Sequence, residues 1–215
     1  MGDDLSLRRP GSLCLVLLIL LLTGCAGGQR VEGPAVALFN GLNLEGWVIE
    51  NDGQFSVKEG VLAVNRGAGW LRSEREFKDF VLSLDVRFLE ENANSGIFIR
   101  TAATSGEDKN GWPDNGYQVQ CMDTVEGKYP LGTLIPYGAG PFVAKSDLDV
   151  LAMVYRSTGH WNRFEITCIG KKLLVRLNGT VITAADQITN RSGHVGIQGE
   201  HGLLEFANIS VKVIN

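Results

Sequence analysis

The chain has 215 residues, with 20 lysines and arginines against 24 aspartates and glutamates, for a net charge of −4. A mildly acidic chain without basic clusters is a poor match for a phosphate backbone, so no nucleic-acid partner is expected. Four cysteines, none in C-x-x-C spacing, give no sign of zinc or dithiol redox chemistry.

Residues 1–24 read as a targeting segment. Arg8 and Arg9 precede "SLCLVLLILLL", an apolar run too short for a comfortable transmembrane helix. The run ends in "LLTGC", which resembles the bacterial lipobox: small Thr23 and Gly24 stand before the cut, and the Cys25 thiol is the lipid acceptor. An uncleaved anchor or an ordinary signal peptide competes with this reading, since Asp3 and Asp4 are unusual in such a leader. Lipidation implies attachment to the cell envelope through the N-terminal lipid, on a periplasmic or surface face. Ala26 after the cysteine favours the outer membrane of a two-membrane host. One fatty chain contributes only about 0.8 kcal/mol per buried CH₂, so firm attachment takes several. Residues 25–36, Gly-rich and aperiodic, read as a lipidated flexible tether. Residues 37–215 remain as one domain, long enough to bury roughly 70% of its unfolded surface.

Along that domain short strand patterns follow one another, and no convincing amphipathic helix interrupts them. "QFSVKEGVLAV" predicts a hairpin around Glu59-Gly60. "FVLSLDVRF" alternates, with Phe80, Leu82, Leu84, Val86 and Phe88 on one side and Ser83, Asp85 and Arg87 on the other. "NSGIFIR" (94–100) and "GYQVQCMD" (116–123) are strands with unusually polar second faces. "WNRFEITCIGKKLLVRLNGTVI" predicts three strands joined at Gly170-Lys171 and at Asn178-Gly179, the second a strong hairpin signal. "GHVGIQG" and "LLEFANISVKVIN" close the chain. Evenly spaced strands with 27 glycines predict an all-β sandwich of two antiparallel sheets. Cys121 and Cys168 fall at inward positions, where a disulfide in an oxidising compartment and two buried free thiols are both open; we treat them as core.

Period two leaves Phe98 and Arg100 on one face of the first polar strand, Gln118 and Gln120 on that of the second, and His194 and Gln198 on that of "GHVGIQG". If the three strands are neighbours, amides, imidazole and guanidinium share one surface suited to ring hydroxyls, with Phe98 available for stacking. Gly96 and Gly196 would let a ligand approach the backbone. A solvated sheet face is the plainer reading of the same alternation. Trp112 in "GEDKNGWPDNGY" is a lid or stacking candidate, or packs on its own loop. Glu200 and His201 stand just past a strand end, where an acid or base would be held firmly; Asp123 is a third candidate if it lies beyond its strand's last paired residue. A structural role is the alternative for His201. No G-x-S-x-G, Walker, dinucleotide or H-E-x-x-H motif is present, and no E-x-D-x-E run of the sandwich glucanases.

Five blocks in order, "ALFNGLNLEGW", "NSGIFIR", "NGYQVQCMD", "HWNRFEITCIGKKLLVRLNGTVI" and "VGIQGEHGLLEFANI", resemble the 3-keto-disaccharide hydrolase domain family. The resemblance implies a concanavalin A-like jelly-roll fold and cleavage of glycosides already oxidised at C3, with a separate sugar oxidoreductase making the ketone. A 3-keto group acidifies the C2–H, so one base can drive elimination of the aglycone, followed by hydration. On this reading His201, Glu200 and Asp123 are the catalytic candidates, and Arg100, Gln118, Gln120, Gln198, His194, Trp112 and Phe98 bind substrate. No cofactor is obligatory; a divalent cation is open, with Asp123, Glu200 and His201 as its candidate ligands. Two positions depart from the pattern: Gln118 replaces a common Glu, and Ala207 an Arg. If that Glu is the base, the chain is a non-catalytic, lectin-like binder.

Overall fold

A computed structural model describes residues 32–104 and 110–215; the leader and Cys25 lie outside the described residues. In chain order the strands are β1 (Glu32–Ala37), β2 (Trp47–Glu50), β3 (Phe55–Lys58), β4 (Val61–Asn65) and β5 (Trp70–Phe77). There follow β6 (Phe80–Phe88), β7 (Asn94–Thr101), β8 (Gly116–Met122), β9 (Leu134–Tyr137) and β10 (Val143–Ser146). After the short helix α1 (Leu148–Val154) come β11 (Trp161–Ile169), β12 (Lys172–Leu177), β13 (Thr180–Asp186), β14 (Gly193–Gln198) and β15 (Leu203–Ile214).

These strands form two antiparallel sheets. The larger runs β10-β13-β12-β11-β6-β15-β4-β3, with β1 added along β15; the smaller runs β2-β5-β14-β7-β8-β9. The crossovers between sheets are those of a jelly-roll sandwich. Alternation explains the larger sheet directly: every second residue of β6, from Phe80 to Phe88, is buried, and its neighbours are only half-buried. These side chains meet Ile97, Ile99, Tyr117, Val119, Val195 and Ile197 of the smaller sheet in one core. Both predicted hairpins are present. Glu59 and Gly60 (φ 52° and 83°) join β3 to β4, and Asn178 and Gly179 (φ 50° and 89°) join β12 to β13. Two consecutive left-handed residues match the twist of the flanking strands.

Two features differ from the sequence expectation. Glu32–Ala37, read from the sequence as mostly tether, pairs with β15 as an edge strand despite lacking periodicity. Helix α1 exists, capped by the Asp147 carboxylate on the Val150 N–H; at seven residues with only Leu151 buried it carries too little pattern to be read. Cys121 and Cys168, treated as core from the sequence, are both buried and free.

The feature that matters for function is in the smaller sheet. β7, β8 and β14 are buried along nearly their whole length on both faces. One face lies on the core; the other is covered too.

Candidate functional site

On the outer face of the smaller sheet, Trp70 of β5 stands opposite Gln198 of β14, and Phe98 of β7 lies between Gly196 and Gln118. The two glycines are needed by the protein's own side chains. A Cβ at Gly196 would lie 2.6 Å from the Trp70 ring, and one at Gly96 would lie 1.7 Å from the Gln118 amide. Gln118 therefore crosses β7 over Gly96, and its Nε2 donates to Gln198 Oε1. Aromatic rings complete the cover: Trp70 on Phe98, Phe98 on Tyr137 and Tyr137 on Trp112, all edge-to-face with centroids 5.4–6.1 Å apart. The expectation that the glycines open the backbone to a ligand is corrected; Trp70 and Gln118 fill that space.

Arg100 is the largest correction. It is wholly buried, and its φ of 49° takes it out of strand alternation, so the side chain leaves the polar face. Its guanidinium donates to the carbonyls of Lys78, Gly170 and Asn190 and pairs with Asp79 at 3.0 Å. Lys78 and Asp79 form the β5–β6 turn and Gly170 the β11–β12 turn, so Arg100 fastens the two sheets together at one end. His194 is also turned to structure: Nδ1 faces the Ser73 carbonyl at 2.8 Å, and Nε2 lies 3.6 Å from Glu76. A bulge between His194 and Gly196 separates it from the Gln198 end of its strand.

Asp123 accepts hydrogen bonds from Tyr155 on one oxygen and Thr158 on the other. Its carboxylate ties β8 to the loop after α1. Phe98 is fully buried inside the aromatic cover, so no sugar face can stack on it as it stands. Gln120 is buried beside Met122. Gln118 and Gln198 share the predicted face but contact each other.

What remains together lies at the other end of that face. Gly67, Ala68, Asn110, Trp112, Gly199 and Glu200 line a pocket of about 290 Å³. Trp112 is held there by its Nε1, which donates to the Gly199 carbonyl at 3.2 Å. His201 exchanges two backbone hydrogen bonds with Asn94 and leaves its ring exposed. Burial pushes the Glu200 carboxyl up from the usual glutamate range, while the Asn94 side-chain amide favours its charged form and opposes the shift. A larger hollow of about 430 Å³ on the outer face of the larger sheet is lined by Val143, Leu174, Ala184 and Ala185 together with Lys145, Lys172 and Asp186.

Sequence reasoning missed two residues of this region. Asn94 was visible in "NSGIFIR" and falls on the outer face by the same alternation; Trp70 has no local signal, because only its pairing with Gln198 brings it here. As for a metal, no group of three or more His, Cys, Asp and Glu side chains converges among the described residues. Of the three candidate ligands, Asp123 has both oxygens engaged, by Tyr155 and Thr158.

The family model described as 3-keto-alpha-glucoside-1,2-lyase-like domain matches residues 34–212. No curated protein sequence matches the chain. A solved structure of a candidate glycosyl hydrolase from Parabacteroides distasonis is 25% identical, with a TM-score of 0.65 over 84% of this chain and all 100% of that one. A second candidate glycosyl hydrolase from the same organism is 17% identical, with a TM-score of 0.64 over 84% of this chain and 94% of that one. The carbohydrate-binding module CBM66 from Bacillus subtilis is 14% identical, with a TM-score of 0.54 over 78% and 95%. The last two likenesses establish the fold, a concanavalin A-like jelly roll.

Proposed function

The chain belongs to the 3-keto-alpha-glucoside-1,2-lyase-like domain family, and from that premise we propose that it cleaves 3-keto-glycosides, 3-keto-disaccharides among them, with Glu200 as the base. The observation that carries this is a half-buried carboxyl whose affinity for a proton is raised by burial, set in the wall of a pocket beside Trp112. A base for a carbon acid works best when its pKa approaches the working pH, and burial moves Glu200 in that direction.

The chemistry needs little else. Glu200 takes the C2 proton, the C2–H electron pair becomes the C1–C2 double bond, and the C1–O bond breaks toward the aglycone. The departing oxygen takes a proton, a role that falls to the exposed His201 ring next in the chain to Glu200. Water then adds across the double bond to give the free 3-keto sugar. Trp112 offers a face for the sugar ring, and Asn94 holds the Glu200 carboxylate in place. No matched pair of carboxylates is required, in contrast to ordinary glycosidases.

A second reading is favoured by one observation. Gln118 stands where the family commonly carries Glu, and its amide is tied to Gln198. If that Glu is the family's base, the chain binds carbohydrate without turnover. Incubating the purified protein with a 3-keto-disaccharide and with its unoxidised parent separates the two. Release of 3-keto sugar from the first only is the expected result; saturable binding without release would establish the binder.

The cellular setting is also proposed: attachment of the domain to the envelope through a lipid on Cys25, and supply of the ketone by a separate sugar oxidoreductase. Radiolabelled palmitate entering the wild type but not Cys25→Ala is the expected result for the anchor.

A further inference from the structure

Three buried side-chain atoms have no hydrogen-bond partner among the described residues: Trp70 Nε1, Gln198 Nε2 and Asn94 Oδ1. All three belong to the outer face of the smaller sheet. Trp70 and Gln198 are directly paired across β5 and β14, which places their Cβ atoms roughly 5 Å apart. Asn94 is on the next strand, facing Glu200. Leaving a buried donor or acceptor unpaired costs about 1–3 kcal/mol each, so three in one patch is an expensive arrangement for a purely structural face. Elsewhere the protein satisfies its buried polar groups thoroughly, as the Arg100 guanidinium illustrates.

The types of the three groups carry information. Two are donors on residues paired across neighbouring strands, and the third is an acceptor on a residue that hydrogen-bonds the carboxylate. Paired N–H donors with nothing to donate to suit an oxygen that gains negative charge, and the neighbouring acceptor suits a hydroxyl. We propose that Trp70 Nε1–H and Gln198 Nε2–H form a subsite for the ketone oxygen of a 3-keto sugar, with Asn94 Oδ1 receiving an adjacent hydroxyl. This rests on the reading of Glu200 as the base. As the C2 proton passes to Glu200, electron density moves onto the C3 oxygen before the C1–O bond breaks, and the two donors stabilise it there. Arg100, the candidate for this role on sequence grounds, is engaged elsewhere; an indole and an amide take it over.

The subsite lies under the aromatic cover. Trp112 spans from Tyr137 on β9 to the Gly199 carbonyl beyond β14. That single 3.2 Å hydrogen bond and ring contacts hold it, so a ligand entering from the Glu200 pocket reaches the donors by displacing the Trp112 ring.

Two measurements test the subsite, the first of them independently of turnover. In ¹⁵N-labelled protein the Trp70 indole N–H resonance is followed on adding 3-ketoglucose, which has no aglycone to lose, and on adding glucose. A downfield shift with the ketone alone is expected; no shift, or equal shifts with both sugars, overturns the subsite. Separately, Trp70→Phe and Gln198→Met are assayed with a 3-keto-disaccharide. Each is expected to lower kcat about 100-fold with KM changing much less, and kcat as high as wild type in both overturns the proposal. Two variants are used so that a folding defect in one does not remove the test. A ketone-specific shift in a protein that never cleaves the disaccharide keeps the subsite and discards the cleavage reading; cleavage without the shift does the reverse.

Discussion

Gln118 donates to Gln198 across the full width of β7, at 2.5 Å, along a path that is open only because residue 96 has no side chain. Gly96→Ala places a Cβ where the Gln118 amide now lies, so the amide must withdraw and both glutamines lose a buried partner. A loss of about 1–3 kcal/mol is expected in urea unfolding. An unchanged midpoint would show that Gln118 has another route available.

Arg100 is a structural residue despite its place in the most family-like block of the sequence. Arg100→Met removes the donor to three turn carbonyls and leaves Asp79 without its buried partner. The expected cost is about 3–5 kcal/mol, read as a lower denaturant midpoint. A variant as stable as wild type that loses only sugar binding would return Arg100 to the site.

Glu200→Gln is expected to reduce turnover at least 100-fold. In the wild type, activity should rise with pH through the raised Glu200 value, because the base must be ionised. Stability moves in the opposite direction. The folded protein holds the Glu200 proton more tightly than the unfolded chain does, so that contribution is complete below the ordinary glutamate range and is lost as pH rises through the raised value. Glu200→Gln cannot ionise, so its melting temperature should exceed that of wild type increasingly as pH rises, the gap closing in acid. A gap that widens in acid would contradict the burial assigned to this carboxyl.

Trp112→Ala removes one wall of the Glu200 pocket and a ring contact with Tyr137. Sugar binding should weaken about tenfold, the size of an aromatic contact of roughly 1.4 kcal/mol. Titration followed by the remaining tryptophan fluorescence reads it. Unaltered affinity would mean that Trp112 only packs on its own loop.

Burial raises both remaining core thiols, Cys168 to about 12 and Cys121 further, with Asp123 nearby adding to the effect. Neither forms a disulfide. Iodoacetamide should therefore leave both unmodified in the native protein and alkylate both after unfolding; rapid labelling of either one would place it at the surface.

What could be read from residues alone was whatever is encoded locally. The alternation of β6 and β11, and the left-handed pairs Glu59-Gly60 and Asn178-Gly179, depend on neighbours a few positions away, so the sandwich and its hairpins were legible. Alternation also put Gln118 and Gln198 on one face correctly, since that face follows from period two. It could not say what else would occupy that face. The burial of Gln118 depends on a glycine one strand away, and the place of Trp70 depends on a pairing between segments far apart in the chain. Arg100 left the face through a single positive φ, which no alternation rule anticipates, and Asp123 was claimed by Tyr155 and Thr158 from beyond α1. Side-chain direction along a strand is a backbone property and is written in sequence order. Which polar groups end up satisfied, and which are left unpaired, depends on the three-dimensional meeting of distant segments, and only the packed structure decides it.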